Sequence, residues 1–362
     1  MNRVQAISGW GDKGPACFLA EIGGRRLMLD LGEGPDAGRR PDLTGIGAVD
    51  AILISHGHPD HVGALDLAPQ IGDPPVFATA PVRALSNDER LRGASDLPFG
   101  GGASILGLDV ETGSAGHAPG AVWMRIGGAG GLLYTGDYSA ESALFPSSRP
   151  LPAAAMIGDA SYGDAEEPLS EQITELVERA RWRPLLLPAP PTGRALEIAL
   201  ALHGAGIEVA LCPATRAVGE TLAQHPDAMT AGFRDAFTPW LAAMPALAVD
   251  SPARGAMIVA GAQADRGLSA ALCERFAASG EADIVFTGHV AEGSQAQQLM
   301  LAEIATLRRW NVHPTRSGLK ALLEAVQPEI FLPAFLRKAR IPALMEAFPG
   351  VRMVSETAAF RW

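Results

Sequence analysis

Six residues carry the densest chemistry in the chain: His56, Gly57, His58, Pro59, Asp60 and His61. Three imidazoles and one carboxylate fall together there, although the whole chain has only 8 histidines. A core histidine is usually solitary and satisfied by one hydrogen bond, whereas these follow directly on the apolar run Ala51–Ile54 and sit in a polar turn. Imidazole nitrogen with carboxylate oxygen is a donor set for zinc or a similarly borderline divalent ion. The chemistry to expect at such a turn is therefore metal binding. Cys17, Cys212 and Cys273 are too widely spaced for a thiolate zinc site or a disulfide framework and read as buried thiols. The glycine run 127–131 reads as a hairpin turn, since no phosphate-binding pattern accompanies it.

The elements that must hold these residues change character along the chain. Up to about residue 165, short β-rich runs alternate with Gly, Pro and Asp: Val4–Ile7, Cys17–Ile22, Leu27–Asp30, Ala51–Ile54, Val122–Ile126, Leu132–Tyr134 and Ala154–Ile157. From Pro168 the period becomes helical, with Ile173, Leu176, Val177 and Ala180 on one face. Strands near Leu185–Leu187, Ile207–Leu211, Met257–Ala260 and Asp283–Phe286 then alternate with helices, which predicts a parallel sheet covered by helices. The tail predicts a helix over Ser317–Ala325, a strand at Ile330–Leu332 and a β pair formed by Val351–Val354 and Ala358–Arg361.

Composition limits the alternatives. With 362 residues and 48% hydrophobic side chains, the chain is long enough for one large core or two smaller ones. A net charge of -11 opposes broad, non-specific capture of nucleic acid by a basic surface. The first twenty residues hold no signal-peptide core and no long apolar run occurs, so a cytoplasmic location without membrane insertion is expected.

The run His56-x-His58-x-Asp60-His61 resembles the signature of the metallo-β-lactamase superfamily. The resemblance implies that His56 and His58 bind one ion and that Asp60 and His61 bind a second. It also implies a supporting carboxylate after an early strand, matched by Asp30 in Leu27-Met28-Leu29-Asp30-Leu31-Gly32. A further histidine ligand is matched by His117 in Gly116-His117-Ala118-Pro119-Gly120, and a bridging carboxylate by Asp137 in Tyr134-Thr135-Gly136-Asp137. Taken singly, Asp30 and Asp137 would read as turn residues; their order and context favour the metal site.

The middle of the chain is similar to the β-CASP branch of that superfamily, nucleases with an α/β domain inserted in the lactamase fold. Ile157-Gly158-Asp159-Ala160-Ser161-Tyr162-Gly163 resembles its first acidic motif, and Gly193-Arg194-Ala195-Leu196-Glu197 the start of an insert helix. Phe286–Ser294 resembles a later strand and loop, and Asn311-Val312-His313 falls where a second-motif histidine belongs. The resemblance implies an α/β fold, an αββα sandwich with an inserted α/β domain. The implied domains are residues 1–165 and 307–362 for the sandwich and 166–306 for the insert. It gives Asp159 and His313 catalytic roles beside Asp60, and makes Arg194 and Ser294 substrate-binding candidates. Where the third motif carries a histidine, this chain has Phe335, and no histidine follows His313. The second ion is then left with Asp60, His61 and Asp137.

These likenesses imply a zinc-dependent phosphodiesterase, a β-CASP-type ribonuclease hydrolysing single-stranded RNA by a metal-activated hydroxide. Two zinc ions are expected, the second weakly held, with manganese as the alternative ion. RNA is the expected partner, with DNA and a second copy of the chain as further partners. Three other readings stand beside it: a DNA nuclease of the same fold, favoured by Phe335, a hydrolase of small anionic esters, favoured by the acidic charge, and a weakly active nucleic-acid-binding subunit.

Overall fold

Apolar side chains at alternate positions along short strands need a second layer to cover them, and the first half of the chain supplies one by stacking two sheets face to face. The computed structural model describes residues 1–34, 36 and 38–362. In chain order the first sheet takes β1 (Arg3–Ser8), β2 (Cys17–Ile22), β3 (Arg25–Leu29), β4 (Ala51–Leu53), β5 (Val76–Ala78) and β6 (Ser95–Asp96). The second takes β7 (Gly101–Ile105), β8 (Leu108–Ser114), β9 (Val122–Ile126), β10 (Leu132–Tyr134) and β11 (Ala155–Asp159). A third holds β12 (Leu185–Ala189), β13 (Val209–Leu211), β14 (Ala256–Ala260), β15 (Asp283–Phe286) and β16 (Ala305–Leu307). The chain then returns to the first pair: β17 (Ile330–Ala334) joins the second sheet beside β11, and β18 (Ala359–Arg361) joins the first beside β1.

These elements fall into two units, Met1–Glu166 with Val312–Trp362, and Glu167–Asn311. In the first unit the sheet orders are β18-β1-β2-β3-β4-β5-β6 and β17-β11-β10-β9-β8-β7. Phe18, Leu27, Leu29 and Leu53 from one sheet meet Val122, Met124, Tyr134, Ile157 and Leu332 from the other in a shared core. Outside the first sheet, Met28, Ile52 and Ile54 pack on Leu65, Ile71, Val82 and Leu91. Outside the second, Leu133, Met156 and Phe331 pack on Leu319, Leu322, Val326 and Leu344 from the helices Arg316–Val326 and Ile341–Ala347. The result is the αββα sandwich, with burial of each Leu-sized side chain contributing about 1.5–3 kcal/mol.

The second unit is an α/β layer. Its sheet runs β13-β14-β12-β15-β16, every pairing parallel. All five residues of β12 are buried, which explains the unbroken apolar run Leu185–Leu187: a central parallel strand covered on both faces has no polar side.

Two local departures from the sequence reading have clear causes. The β7–β8 hairpin escapes notice because Gly101–Ile105 is half exposed and mostly small, so its pairing with Leu108–Thr112 leaves little hydrophobic alternation. The expected β pair at the C-terminus does not form: Met353 makes only an isolated bridge to Phe331, while Ala359–Arg361 pairs antiparallel with β1. The three cysteines are buried and free, and burial pushes the Cys273 thiol up to about 12.

Candidate metal centre

Strand register decides which side chains can meet. In the first sheet β3 and β4 run parallel with Leu29 opposite Leu53, and the Asp30 amide donates to the Leu53 carbonyl at 3.0 Å. Asp30 and Ser55–His61 therefore leave neighbouring strand ends side by side. In the second sheet Tyr134 pairs with Ile157 and Asp159 with Ala334, so Asp137, Asp159 and Phe335 also follow adjacent, parallel ends. Two close approaches require glycine. A Cβ on Gly32 would lie 1.7 Å from the Asp60 carbonyl oxygen, and one on Gly136, at φ +54°, would lie 2.5 Å from Ser55 Cβ.

His56, His58, His117 and Asp137 form one donor group, Asp60, His61 and Asp137 a second, and Asp137, Asp159 and His313 a third. In the first group His58 Nδ1 lies 3.1 Å from His56 Nε2 and 3.0 Å from His117 Nε2. Asp137 Oδ2 lies 3.4 Å from His117 Nε2 and 3.8 Å from His56 Nε2. Donors about 2.0–2.1 Å from a tetrahedral ion stand roughly 3.3 Å apart, so this spacing suits zinc. Burial, reinforced by the other histidines, holds His56 and His117 well below the usual imidazole range. This favours the neutral imidazole, the form that binds a cation. His117 is oriented from behind by donation from Nδ1 to the Val312 carbonyl at 2.6 Å, which directs Nε2 into the group.

The second group rests on Asp30, fully buried at φ +57°. Its carboxylate accepts from the Ser55 amide at 2.7 Å, the Ser55 hydroxyl at 2.6 Å, His61 Nδ1 at 2.6 Å and the Tyr134 hydroxyl. His61 Nε2 faces Asp137 Oδ1 at 3.3 Å. Burial alone would push the His61 pKa down, but Asp137 and Asp30 on either side hold it well above the usual range. The carboxylates therefore demand positive charge at this point, which a proton or a metal ion can supply. Phe335 stands beside this group and donates nothing. It is buried at φ +62°, with its ring edge-on to His61 at 5.3 Å and to Phe18 at 6.0 Å.

Asp159 and His313 make a buried pair, Nδ1 donating to Asp159 Oδ2 at 2.8 Å. The same carboxylate accepts from the Tyr138 amide at 3.0 Å and the Ser161 hydroxyl at 2.6 Å. Burial opposes charge on His313, yet Asp159 and Asp137 raise its pKa. Tyr162 adds an edge-on ring at 5.1 Å, and its hydroxyl accepts from the Val312 amide at 3.1 Å. The other two singled-out residues belong to the second unit and to none of the three donor groups. Arg194 opens the helix Arg194–Gly204, and Ser294 caps the helix Gln295–Leu301 by accepting from the Gln297 amide at 3.1 Å.

Ser55, Tyr134 and Tyr162 are supporting groups that sequence reasoning did not single out. Ser55 directly precedes His56, a weak signal available in sequence. Tyr134 reaches Asp30 across 104 residues, which only the stacking of the two sheets brings about.

The first unit is thus an αββα sandwich with a buried His/Asp cluster at its strand ends. The sequence pattern of the Metallo-beta-lactamase superfamily matches residues 10–180. The chain is 29% identical over 232 residues to Ribonuclease TTHA0252 of Thermus thermophilus, covering 55% of this chain and 54% of that protein. It is 27% identical over 250 residues to Transcription termination factor FttA of Methanosarcina mazei, covering 56% and 39%. It is likewise 27% identical over 250 residues to Endoribonuclease YSH1 of Candida glabrata, covering 55% and 32%. The matches thus span about half or less of each relative's length. A crystal structure of a protein of unknown function from Enterococcus faecalis V583 shares the fold, with TM-score 0.64, 14% identity and 99% of each chain covered. Residues 10–180, a little under half of the chain, thus match the metallo-β-lactamase superfamily pattern, and the relatives similar to the chain include proteins named as ribonucleases. No helix among the described residues is long and apolar enough to cross a membrane.

Proposed function

We propose that the chain is a zinc-dependent phosphodiesterase that hydrolyses single-stranded RNA. The observation that carries this reading is Asp137, a buried carboxylate shared by all three donor groups. The relatives named as a ribonuclease and an endoribonuclease support RNA as the substrate class.

In this reading His56, His58, His117 and Asp137 hold one ion, and Asp60, His61 and Asp137 hold another. Such ions would supply positive charge against a phosphoryl oxygen and lower the pKa of water toward neutrality. The chain's own groups do the rest. Asp30 fixes His61 with Nε2 toward Asp137, and Val312 fixes His117 in the same way. His313, whose pKa Asp159 and Asp137 raise against its burial, is placed to give a proton to the leaving oxygen, while Asp159 holds its ring in orientation. The second group has three donors against four in the first, so its ion is the weaker, and manganese is a second ion that oxygen-rich donors accept.

The test is incubation of zinc-loaded or manganese-loaded protein with end-labelled single-stranded RNA and DNA of equal sequence, beside bis-p-nitrophenyl phosphate. An Asp60→Ala, His61→Ala variant serves as control. Cutting of RNA, lost in the variant, is expected. Cutting of DNA alone moves the substrate to the other polymer, and cleavage of the small ester alone defeats the nuclease reading.

A further inference from the structure

Among the described residues seven large apolar side chains stand exposed, and three of them, Leu301, Ile304 and Leu307, fall within one short stretch. That stretch ends in β16, the last strand of the second unit's sheet, whose outer side pairs with no strand among the described residues. A fourth, Trp182, is 87% exposed. It lies one turn beyond Arg179 on the helix Leu169–Trp182, and Arg179 donates to the Thr306 hydroxyl at 2.8 Å. Both faces of the β16 edge therefore carry bare apolar surface. Single exposed hydrophobic residues are ordinary, but several collected along an open strand edge mark a place where another chain pairs.

The backbone selects the kind of partner. β16 runs parallel to β15 with Leu307 beside Phe286, and the Arg308 amide donates to the Phe286 carbonyl at 2.8 Å. Inward and outward groups alternate along such a strand, so Ala305 and Leu307 turn their N–H and C=O to the open side. An antiparallel copy of β16 centred on Thr306 sets Ala305 of each chain opposite Leu307 of the other, and these outward groups then bond to one another. The side chains agree with this register. Ala305 is buried in the cluster of Leu299 and Phe286, and Leu307 projects from the same face, so each Leu307 meets the small Ala305 of the other copy. Charge agrees as well: Glu303 precedes the uncharged run Ala305–Leu307, and Arg309, 3.6 Å from Glu167 yet partly exposed, follows it. Antiparallel pairing brings the acid of each copy to the base of the other.

We propose that the chain forms a dimer through this edge, β16 against β16 about a twofold axis at Thr306, joining two five-stranded sheets into one. Because the contact is self-complementary, it closes with two copies.

The test is the molar mass of the full chain by light scattering on a sizing column, over a dilution series from tens of micromolar downwards, with disulfide trapping alongside. Wild type should run at twice the chain mass at the top of the series. Leu307→Lys should weaken the dimer at least about a hundredfold, because the axis counts the loss of one buried leucine twice, while its circular dichroism spectrum stays that of wild type. At the axis the two Thr306 Cα atoms would stand about 4.5 Å apart, the spacing of a non-hydrogen-bonded antiparallel pair and within reach of a disulfide. Thr306→Cys should therefore cross-link under oxidised glutathione at least about tenfold faster than Val249→Cys, an exposed site elsewhere in the unit, because its thiols are held together and do not meet by collision. The three native cysteines are buried and do not compete. Wild type that stays monomeric throughout overturns the proposal and leaves the edge to a different protein. A dimer that survives Leu307→Lys, or one in which Thr306→Cys is trapped no faster than the control, uses another contact and overturns it equally.

Discussion

Asp30 offers a perturbation whose consequences divide cleanly between fold and site. Its carboxylate is dry and takes protons from the Ser55 amide and hydroxyl, His61 Nδ1 and the Tyr134 hydroxyl. Asp30→Ala strips these groups of their acceptor. Counting only the Ser55 amide, His61 and Tyr134, at about 1–3 kcal/mol per orphaned buried donor, the loss is roughly 3–9 kcal/mol. A domain stability of about 5–15 kcal/mol leaves little folded protein after such a loss. Asp30→Asn behaves differently. The amide keeps the shape and tolerates the left-handed backbone at φ +57°. With Oδ1 kept for the Ser55 amide, its NH2 stands where Oδ2 accepted from the Ser55 hydroxyl, His61 Nδ1 and the Tyr134 hydroxyl, so His61 loses the acceptor that holds Nδ1 protonated and Nε2 free. The expected outcome is a folded Asn variant whose second ion is bound about 10–100-fold more weakly, the cost typical of losing a group behind a ligand. Zinc titration against a competing chelator, with melting curves for both variants, measures each part. An Asn variant with wild-type affinity for both ions, or an Ala variant within about 1 kcal/mol of wild type, refutes the reasoning.

Three further outcomes follow from the same geometry. His313→Asn should lower turnover by about 10²–10⁴ while leaving zinc content unchanged if, as proposed, His313 gives a proton and is not a principal ligand; equal loss of both would reassign it. Phe335→His should tighten the second ion at least tenfold in the chelator titration, since histidine adds a fourth donor beside His61 and is more at home than Phe at φ +62°; unchanged affinity would show that position 335 does not face that ion. In the second unit, Arg308 and then Gln172 hold the Glu167 carboxyl down at about 2. A pKa lowered on folding contributes stability that is present above the unfolded value near 4.5 and is lost as pH falls toward 2. The melting-temperature gap between wild type and Glu167→Gln should therefore be largest above pH 4.5 and close on acidification; a gap independent of pH would remove Glu167 as its source.

How much of this could be read beforehand varies with sequence distance. His56–His61 is visible because its donors are crowded into one turn, and the passage from a sheet-rich half to an α/β half is visible in the change of hydrophobic period at Pro168, whereas the αββα sandwich comes only through the resemblance. The placement of Asp30, His117 and Asp137 around that turn depends on strand register, and the sequence could suggest it only through resemblance. The groups behind them were illegible. His117 is steadied by a carbonyl 195 residues away and Asp30 by a hydroxyl 104 residues away, and no local pattern encodes contacts made by stacking two sheets. The edge hairpin β7–β8 leaves no periodic trace because its short pairing has little apolar alternation, whereas the apolar run Val351–Val354 reads as a strand although only Met353 bridges, to Phe331.

The most direct measurement is the number of zinc ions per chain, by elemental mass spectrometry after dialysis at buffered micromolar free zinc, for wild type and Asp137→Ala. Because Asp137 belongs to every donor group, between one and two ions are expected in wild type and well under one in the variant. Wild-type protein that retains no zinc, or a variant that retains as much as wild type, would contradict a metal centre built around Asp137.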